Sequence, residues 1–501
     1  MSVGRSIAAN YASQLYASAL AILMVPLYVR YMGVEAYGLV GFYAMLQGWF
    51  LILDMGVSAT LSRQAARFNA GAVDGFELRR LVRAFEGIFL VVALAGVLAL
   101  AGSARLLAND WLHVQQLDIE EVERAIGLMA VIVALRWICG LYRGIITGLE
   151  HIVWLSGFNV LVATLRFLLV VPYLAYVGAT PTHFFAYQLV VACFENLVLI
   201  AKTYRLLPLV EIGGWIRWAV QPLRGVAGFT LSVAFTSTVW IIVTQADKLL
   251  LSGMISLENY AFYTIAVLVA SGITLLSGPV TGAVLPRLTR LHAEGDEDGL
   301  RSLYRMATQI VGVVVVPVVL VLAFFPVQVI TAWTGHQEIA IRAAPVLTLY
   351  AIGNGVLAFA GFSYLIQVAR GNMILHLIGN LIFVLIFVPL LILAVGRFGM
   401  VGAGWAWLLA NLLPFLAWLP LVHHRFLKGI HLRWLALDIA PIVVPASLVA
   451  AALAYGAGWN IGRVATIAQL AGIYALLVLV AACGSSQLLA RLRTHTLLRA
   501  S

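Results

Sequence analysis

Five basic residues stand inside long apolar stretches or at their ends: Arg30, Arg136, Arg143, Arg166 and Lys248. A charge at the bilayer centre costs about 2.5–3.5 kcal/mol on insertion scales, so each needs a compensating reason. Arg136 and Arg143 are seven apart, nearly two helical turns, and share a face with Gly140 and Gly144 close by. Arg166 sits near the middle of the next stretch, while Arg30 and Lys248 lie toward the ends of theirs and can snorkel to the surface. Arginine offers phosphate a planar fork of donors and lysine a point charge. These five are therefore substrate-binding candidates, able to coordinate a phosphate-bearing anion in a low-dielectric setting. The competing reading is salt bridging inside the membrane. Glu195 is placed to meet Arg136 or Arg166, and Asp247 to meet the neighbours of Lys248 or Arg30.

Carboxylates in apolar stretches can also carry a coupling ion. Glu195, Asp247 and Asp54 are the ion-coupling candidates, and Asp54 and Glu86 lie nearer a hydrated boundary. Asn354, Gln367, His376, Asn380 and Asn411 place polar groups in later apolar stretches, where amides hydrogen-bond sugar hydroxyls or join helices to each other. Trp137, Trp240 and Trp407 fall away from the expected interfacial belts and are candidates to stack on a glycan; Trp111, Trp333, Trp434 and Trp459 read as belt residues. No His, Cys, Asp or Glu set has metal-ligand spacing, so neither a metal nor a cofactor is expected. Cys139, Cys193 and Cys483 read as free core thiols, and His423-His424 beside Arg425 as surface.

The elements that must position these groups follow from composition. Of 501 residues, 63% are hydrophobic and only 10% charged. Soluble domains carry about 25% charged residues, so a soluble enzyme and a disordered chain are excluded, and mean hydropathy is +1.00. At about 20 apolar residues per crossing, hydrophobic windows give fourteen spans: 6–29, 36–56, 84–107, 125–148, 153–177, 182–206, 226–251, 260–284, 307–328, 343–367, 373–395, 401–422, 436–457 and 464–488. The first is too long for a signal-peptide core and reads as a retained helix. An even count puts both termini on one side. With that side cytoplasmic, 21 Lys and Arg fall in inner segments and six in outer ones (Arg30, Arg105, Arg124, Arg342, Arg397, Arg463), as the positive-inside rule requires. The net charge of +10 is thus a topology signal, and no basic run interleaved with aromatics suggests nucleic acid.

The segments group as 1–207 with six helices, a basic amphipathic linker at 208–225, 226–424 with six more, and 425–501 with two helices and a tail. The halves repeat weakly. Glu35-Ala-Tyr37 matches Glu258-Asn-Tyr260 at an offset of 223, and Leu61-Ser-Arg63 matches Leu285-Pro-Arg287 at 224. Parallel repeats of this kind mark transporters, with the substrate site expected between the halves. Pro279 and Pro286 bracket the end of the eighth span, and Pro317 and Pro414 lie in later ones, where bends would suit rocking. Outer loops are short, which leaves no place for an external catalytic site.

The stretches Asn10-Tyr-Ala-Ser-Gln14, Pro26-Leu-Tyr-Val-Arg30-Tyr-Met-Gly33-Val-Glu-Ala-Tyr37-Gly38 and Leu53-Asp54-Met-Gly56, then Leu61-Ser-Arg63-Gln, resemble the polysaccharide-transporter branch of the multidrug/oligosaccharidyl-lipid/polysaccharide (MOP) exporters, which includes O-antigen flippases of the Wzx type. Asp247 and Glu258-Asn-Tyr260 resemble the matching part of the second half. The resemblance implies an all-α polytopic membrane protein of fourteen transmembrane helices, with two six-helix lobes in a V and two further helices. It implies a flippase, not an enzyme, that carries an undecaprenyl-diphosphate-linked oligosaccharide, an O-antigen or exopolysaccharide unit, from the cytoplasmic to the periplasmic leaflet by alternating access. It further implies the bacterial inner membrane with both termini cytoplasmic. A proton or sodium gradient or the membrane potential would drive it, and it would act as a monomer among membrane lipids beside a polysaccharide polymerase and ligase. The alternatives are a drug or cation antiporter of the same superfamily, a flippase for the peptidoglycan precursor, and a polytopic glycosyltransferase or ligase.

Overall fold

The computed structural model describes residues 3–208, 227–456, 458–459 and 462–487. The described residues form helices joined by short connections, with no strand among them. In lipid no water can satisfy backbone N–H and C=O groups, so apolar runs of this length close their hydrogen bonds within helices. Twelve helical segments among the described residues are long and apolar enough to cross a membrane. The chain is an all-α polytopic membrane protein. The expected linker at 208–225 lies outside the described residues apart from Pro208.

The chain divides into two compact units, Met1–Ala261 and Phe262–Ser501. The first contains α1 (Val3–Leu23), α2 (Val25–Met32), α3 (Val34–Phe50), α4 (Val57–Asn69), α5 (Gly75–Gly102), the short α6 (Ala104–Leu106), α7 (Ile119–Gly148), α8 (Ile152–Ala163), α9 (Val170–Tyr176), α10 (Pro181–Leu206) and α11 (Ala227–Met254). Helix α7 is its centre and packs on α4, α5 and α10. The second contains most of α12 (Leu257–Ala293), then α13 (Glu297–Phe324), α14 (Pro326–Thr334), α15 (Gln337–Ala369), α16 (Ile374–Phe426), α17 (His431–Trp434), α18 (Ala440–Gly456) and α19 (Arg463–Cys483). Helix α15 is the hub here, against α13, α14 and α16, while α18 and α19 pack on α13.

Several helices start well before the expected spans, for a physical reason. Hydropathy marks where lipid begins, whereas helix starts are set by caps. Asp74 accepts from the Phe76 N–H at 3.1 Å, so α5 starts nine residues before the expected 84 and carries Arg79, Arg80 and Arg83 on helix. Asp118 and Asp296 cap α7 and α13 in the same way. The eighth span likewise overruns its expected end: Pro279 and Pro286 lie within one continuous helix that reaches Ala293.

Helix α16 has 53 residues, with Gly399 at φ 57° and ψ −140° inside it. At 1.5 Å per residue it would be about 80 Å long, against a hydrocarbon core of about 30 Å. It is therefore two helices meeting at a left-handed glycine, between the expected spans 373–395 and 401–422.

A second glycine argument fixes the centre of the first unit. Gly144 and Gly148 of α7 face α4, where a Cβ would run into the carbonyl oxygens of Ser58 and Ser62 respectively. The helices therefore touch backbone to backbone, which sets the rotation of α7 and sends Arg136 and Arg143 toward α8 and α10.

Candidate functional site

Glu195 of α10 is buried, its side chain only 4% exposed, and it holds two arginines of α7. Arg143 Nη2 donates to Oε1 at 2.5 Å, and Arg136 Nη2 stands 3.3 Å from Oε2, an ion pair without hydrogen-bond alignment. The other Arg143 amino group donates to the Asn159 side-chain oxygen on α8. Arg166 lies over the ring of Phe167, 5.0 Å from its centroid, within electrostatic reach of Arg136 and Glu195.

Arg136 and Arg143 thus share one carboxylate with Arg166 within electrostatic reach, three cations to one anion among the described residues, an excess of two positive charges in a mostly buried place. Arg136 Nε and Nη2 and Arg166 Nε are buried without a hydrogen-bond partner. Unmade bonds to buried charged groups are expensive. A ligand with several anionic oxygens would meet both deficits at once, and arginine forks suit phosphate in particular.

Arg166 owes its setting to an unusual backbone. Thr164–Leu168 forms a π-helical turn between α8 and α9, with the Leu169 N–H reaching back to the Thr164 carbonyl at 3.0 Å. Pro172, one turn on, has no N–H to offer the Leu168 carbonyl and its ring crowds it; a widened turn relieves both problems. Three successive carbonyls here accept side-chain bonds: Leu165 from the Tyr187 hydroxyl (2.9 Å), Arg166 from the Gln188 amide (2.9 Å) and Phe167 from the Tyr28 hydroxyl (2.7 Å).

The expected set of five bases is only partly brought together. Arg136 and Arg143 meet on Glu195, with Arg166 within electrostatic reach, so Glu195 pairs with Arg136 as anticipated but takes Arg143 rather than Arg166 as its second partner. Arg30 is exposed in the last turn of α2. Lys248 bonds the Thr244 carbonyl at 2.7 Å and Asp247 at 3.2 Å, so that pair is between chain neighbours. Asp54 accepts from the Ser58 hydroxyl at 2.6 Å, beside the turn at Met55 and Gly56. Trp137 is buried and stacks parallel on Phe89 at 4.1 Å, and Trp240 is half exposed.

In the second unit Asn354 joins helices, while the other expected polar groups bond within their own helix. Asn354 donates to the Ala270 carbonyl and accepts from Trp407 Nε1. Asn411 donates to the Trp407 carbonyl, Gln367 to the Ser363 carbonyl, and His376 pairs with Asn380. Some sequence expectations are corrected. His423 is buried, bonded to Tyr304 and His431 at 2.8 and 2.9 Å; only His424 is at the surface. Trp434 is fully buried, its indole N–H donating to Thr308. Cys139 is a core thiol as expected, but Cys193 and Cys483 are exposed on their helices, because each falls on a face left uncovered among the described residues.

Sequence reasoning missed Asn159, a polar amide in an apolar helix of the kind noted in the other half. It also missed Asp438, fully buried in the second unit, where Arg305 makes two bonds to it at 2.7 and 3.1 Å and Gln309 a third at 2.5 Å. Glu35, noted only as part of the repeat, accepts three backbone N–H bonds from Gln115, Gln116 and Leu117. Among the described residues, no group of three His, Cys, Asp or Glu is placed to hold a metal.

Residues 3–292 match a family described as polysaccharide biosynthesis protein. The chain belongs to that family. Among curated proteins, no sequence matches it. Among solved structures, the chain is similar to the lipid II flippase MurJ in an inward closed conformation, at 14% identity, over 96% of this chain and 98% of that one, with a TM-score of 0.75. It is also similar to an inward-facing multidrug resistance MATE family transporter of the MOP superfamily (14% identity, 82% and 94% covered, TM-score 0.66). A third is a MOP superfamily transporter from Pyrococcus furiosus (14% identity, 84% and 96% covered, TM-score 0.54). At such identities the likeness establishes the fold alone, the one these solved transporters share.

Proposed function

We propose that the chain is a flippase, not an enzyme, that moves an undecaprenyl-diphosphate-linked saccharide across the bacterial inner membrane by alternating access. The observation that carries this reading is the excess of two positive charges around Glu195, with buried guanidinium N–H groups left without partners. A diphosphate supplies the missing oxygens, and a cationic site lowers the cost of bringing a doubly negative headgroup into low dielectric. Membership of the polysaccharide biosynthesis family favours a polysaccharide repeat unit, such as an O-antigen or exopolysaccharide unit, as the glycan. The likeness to MurJ, with a higher TM-score than that to the multidrug transporters, favours the peptidoglycan precursor instead. Both cargoes share the polyprenyl diphosphate. A cation antiporter would have to accept a cationic ligand beside three arginines, which the charge excess opposes.

The rest of the reading follows from the same resemblance. Fourteen crossings are proposed, counting α11 and the two arms of α16, in two six-helix lobes (1–207 and 226–424) with a linker at 208–225 and two last helices in 425–501. Both termini lie in the cytoplasm. The protein acts as a monomer in contact with membrane lipids, beside a polymerase and ligase. A proton or sodium gradient or the membrane potential drives it, with Glu195, Asp247 and Asp54 as the carboxylates on which an ion would act. Arg30 and Lys248 meet the headgroup near the membrane surfaces, and Asn354, Gln367, His376, Asn380, Asn411, Trp137 and Trp240 are candidate glycan contacts.

Native mass spectrometry of the purified protein tests the central claim. The ligands are an undecaprenyl-diphosphate oligosaccharide, lipid II, the free glycan and a cationic dye. Retention of the two lipid diphosphates over the free glycan and the dye is expected, and the better-held of the two names the cargo. Preference for the dye would overturn the proposal in favour of an antiporter.

A further inference from the structure

The π-helical turn at Thr164–Leu168 shifts the Leu169 N–H to the Thr164 carbonyl, and Pro172 has no N–H for the Leu168 carbonyl. Side chains from two other helices reach the three carbonyls between: Tyr187 and Gln188 of α10, and Tyr28 of α2. Tyr16 of α1 adds a fourth contact, its hydroxyl 2.9 Å from that of Thr164. The middle carbonyl of the three belongs to Arg166 itself.

A π-turn inserts one residue into the helical register and so changes the direction in which its side chains leave the backbone. The same α10 that braces the turn through Tyr187 and Gln188 carries Glu195 two turns later, on one rigid element. The brace therefore ties the direction of the Arg166 side chain to the position of the carboxylate that Arg136 and Arg143 hold. We propose that Tyr28, Tyr187 and Gln188 are positioning residues that aim Arg166 into the arginine cluster and thereby set its affinity for diphosphate. This rests on the reading of the cluster as a diphosphate site.

The test uses the full chain in lipid nanodiscs with inorganic pyrophosphate as the probe, its binding followed by titration calorimetry. The variants are Gln188→Leu, Tyr28→Phe and Tyr187→Phe, each alone and combined with Arg166→Ala, with thermal unfolding measured in parallel. Alone, Gln188→Leu and Tyr28→Phe are expected to weaken pyrophosphate about tenfold, equivalent to about 1.4 kcal/mol. In the Arg166→Ala background the same changes are expected to have no further effect on binding, because there is no side chain left to aim. The inference is overturned if the brace variants bind as the unaltered protein does, or if they weaken binding equally in both backgrounds, which would mark a general loosening. The two tyrosine variants keep ring and volume, so they report even where Gln188→Leu fails to fold. If Arg166→Ala binds normally while Arg136→Ala does not, the aiming inference fails and the diphosphate site survives. If neither matters, the diphosphate reading itself fails.

Discussion

Glu195 is the residue on which the first unit's electrostatics turn. Among the described residues its carboxylate is the one anion facing Arg136, Arg143 and Arg166, so neutralising it leaves three cations with no partner of opposite sign there. Removing one partner of a buried pair costs about 3–5 kcal/mol, and with the Arg143 side chain 30% exposed the lower end applies. Glu195→Gln is therefore expected to lower the thermal midpoint of the purified protein. Pyrophosphate should raise that midpoint more in the variant than in the unaltered protein, since it meets a larger charge excess there. An equal rise in both would mean that the anion binds elsewhere. Arg136→Ala and Arg166→Ala should abolish glycan export in cells while folded protein persists in the membrane; normal export by both would remove these positions from the site.

Helix α7 is held by close approach, and that makes a sharp contrast within one element. A Cβ on Gly148 would collide with the Ser62 carbonyl, whereas one on Gly127 meets nothing within 4 Å. Gly148→Ala is expected to destabilise by about 1–3 kcal/mol, and Gly127→Ala to be neutral or slightly stabilising through helix propensity; thermal unfolding of the two side by side checks this. In the second unit, Asp438→Ala should cost about 1–3 kcal/mol by stranding the Gln309 amide and the Arg305 fork. The helices themselves were legible from apolar runs, because lipid leaves a chain little choice. Helix α4 was not, since its polar face reads as a loop and only the α7 glycines reveal its docking. Arg136 and Arg143 were legible as a pair from their spacing of seven. Which of them Glu195 would take was not, because the choice depends on how α10 is rotated against α7, and that rotation comes from packing and not from sequence spacing. The brace on Arg166 was hidden for a related reason: Tyr28 lies 139 residues from the carbonyl it bonds.

At the scale of the whole molecule, the distribution of Lys and Arg predicts an orientation that labelling can test. In a chain whose three cysteines are replaced by serine, Glu120→Cys is expected to react with a membrane-impermeant maleimide in intact cells. Arg290→Cys should react only after permeabilisation. The reverse pattern would invert the topology. The second unit also closes on itself late. The Gln309 side chain accepts from the Ser485 hydroxyl at 2.8 Å and from the Gln487 N–H at 3.1 Å, across 176 and 178 residues of chain. At about 5–20 residues per second of synthesis, the Gln309 side-chain oxygen waits roughly 9–35 s for these two donors. During that interval the half-built unit holds an acceptor that lacks both donors. Completion of the second unit therefore depends on a segment synthesised long after the helix whose oxygen it satisfies.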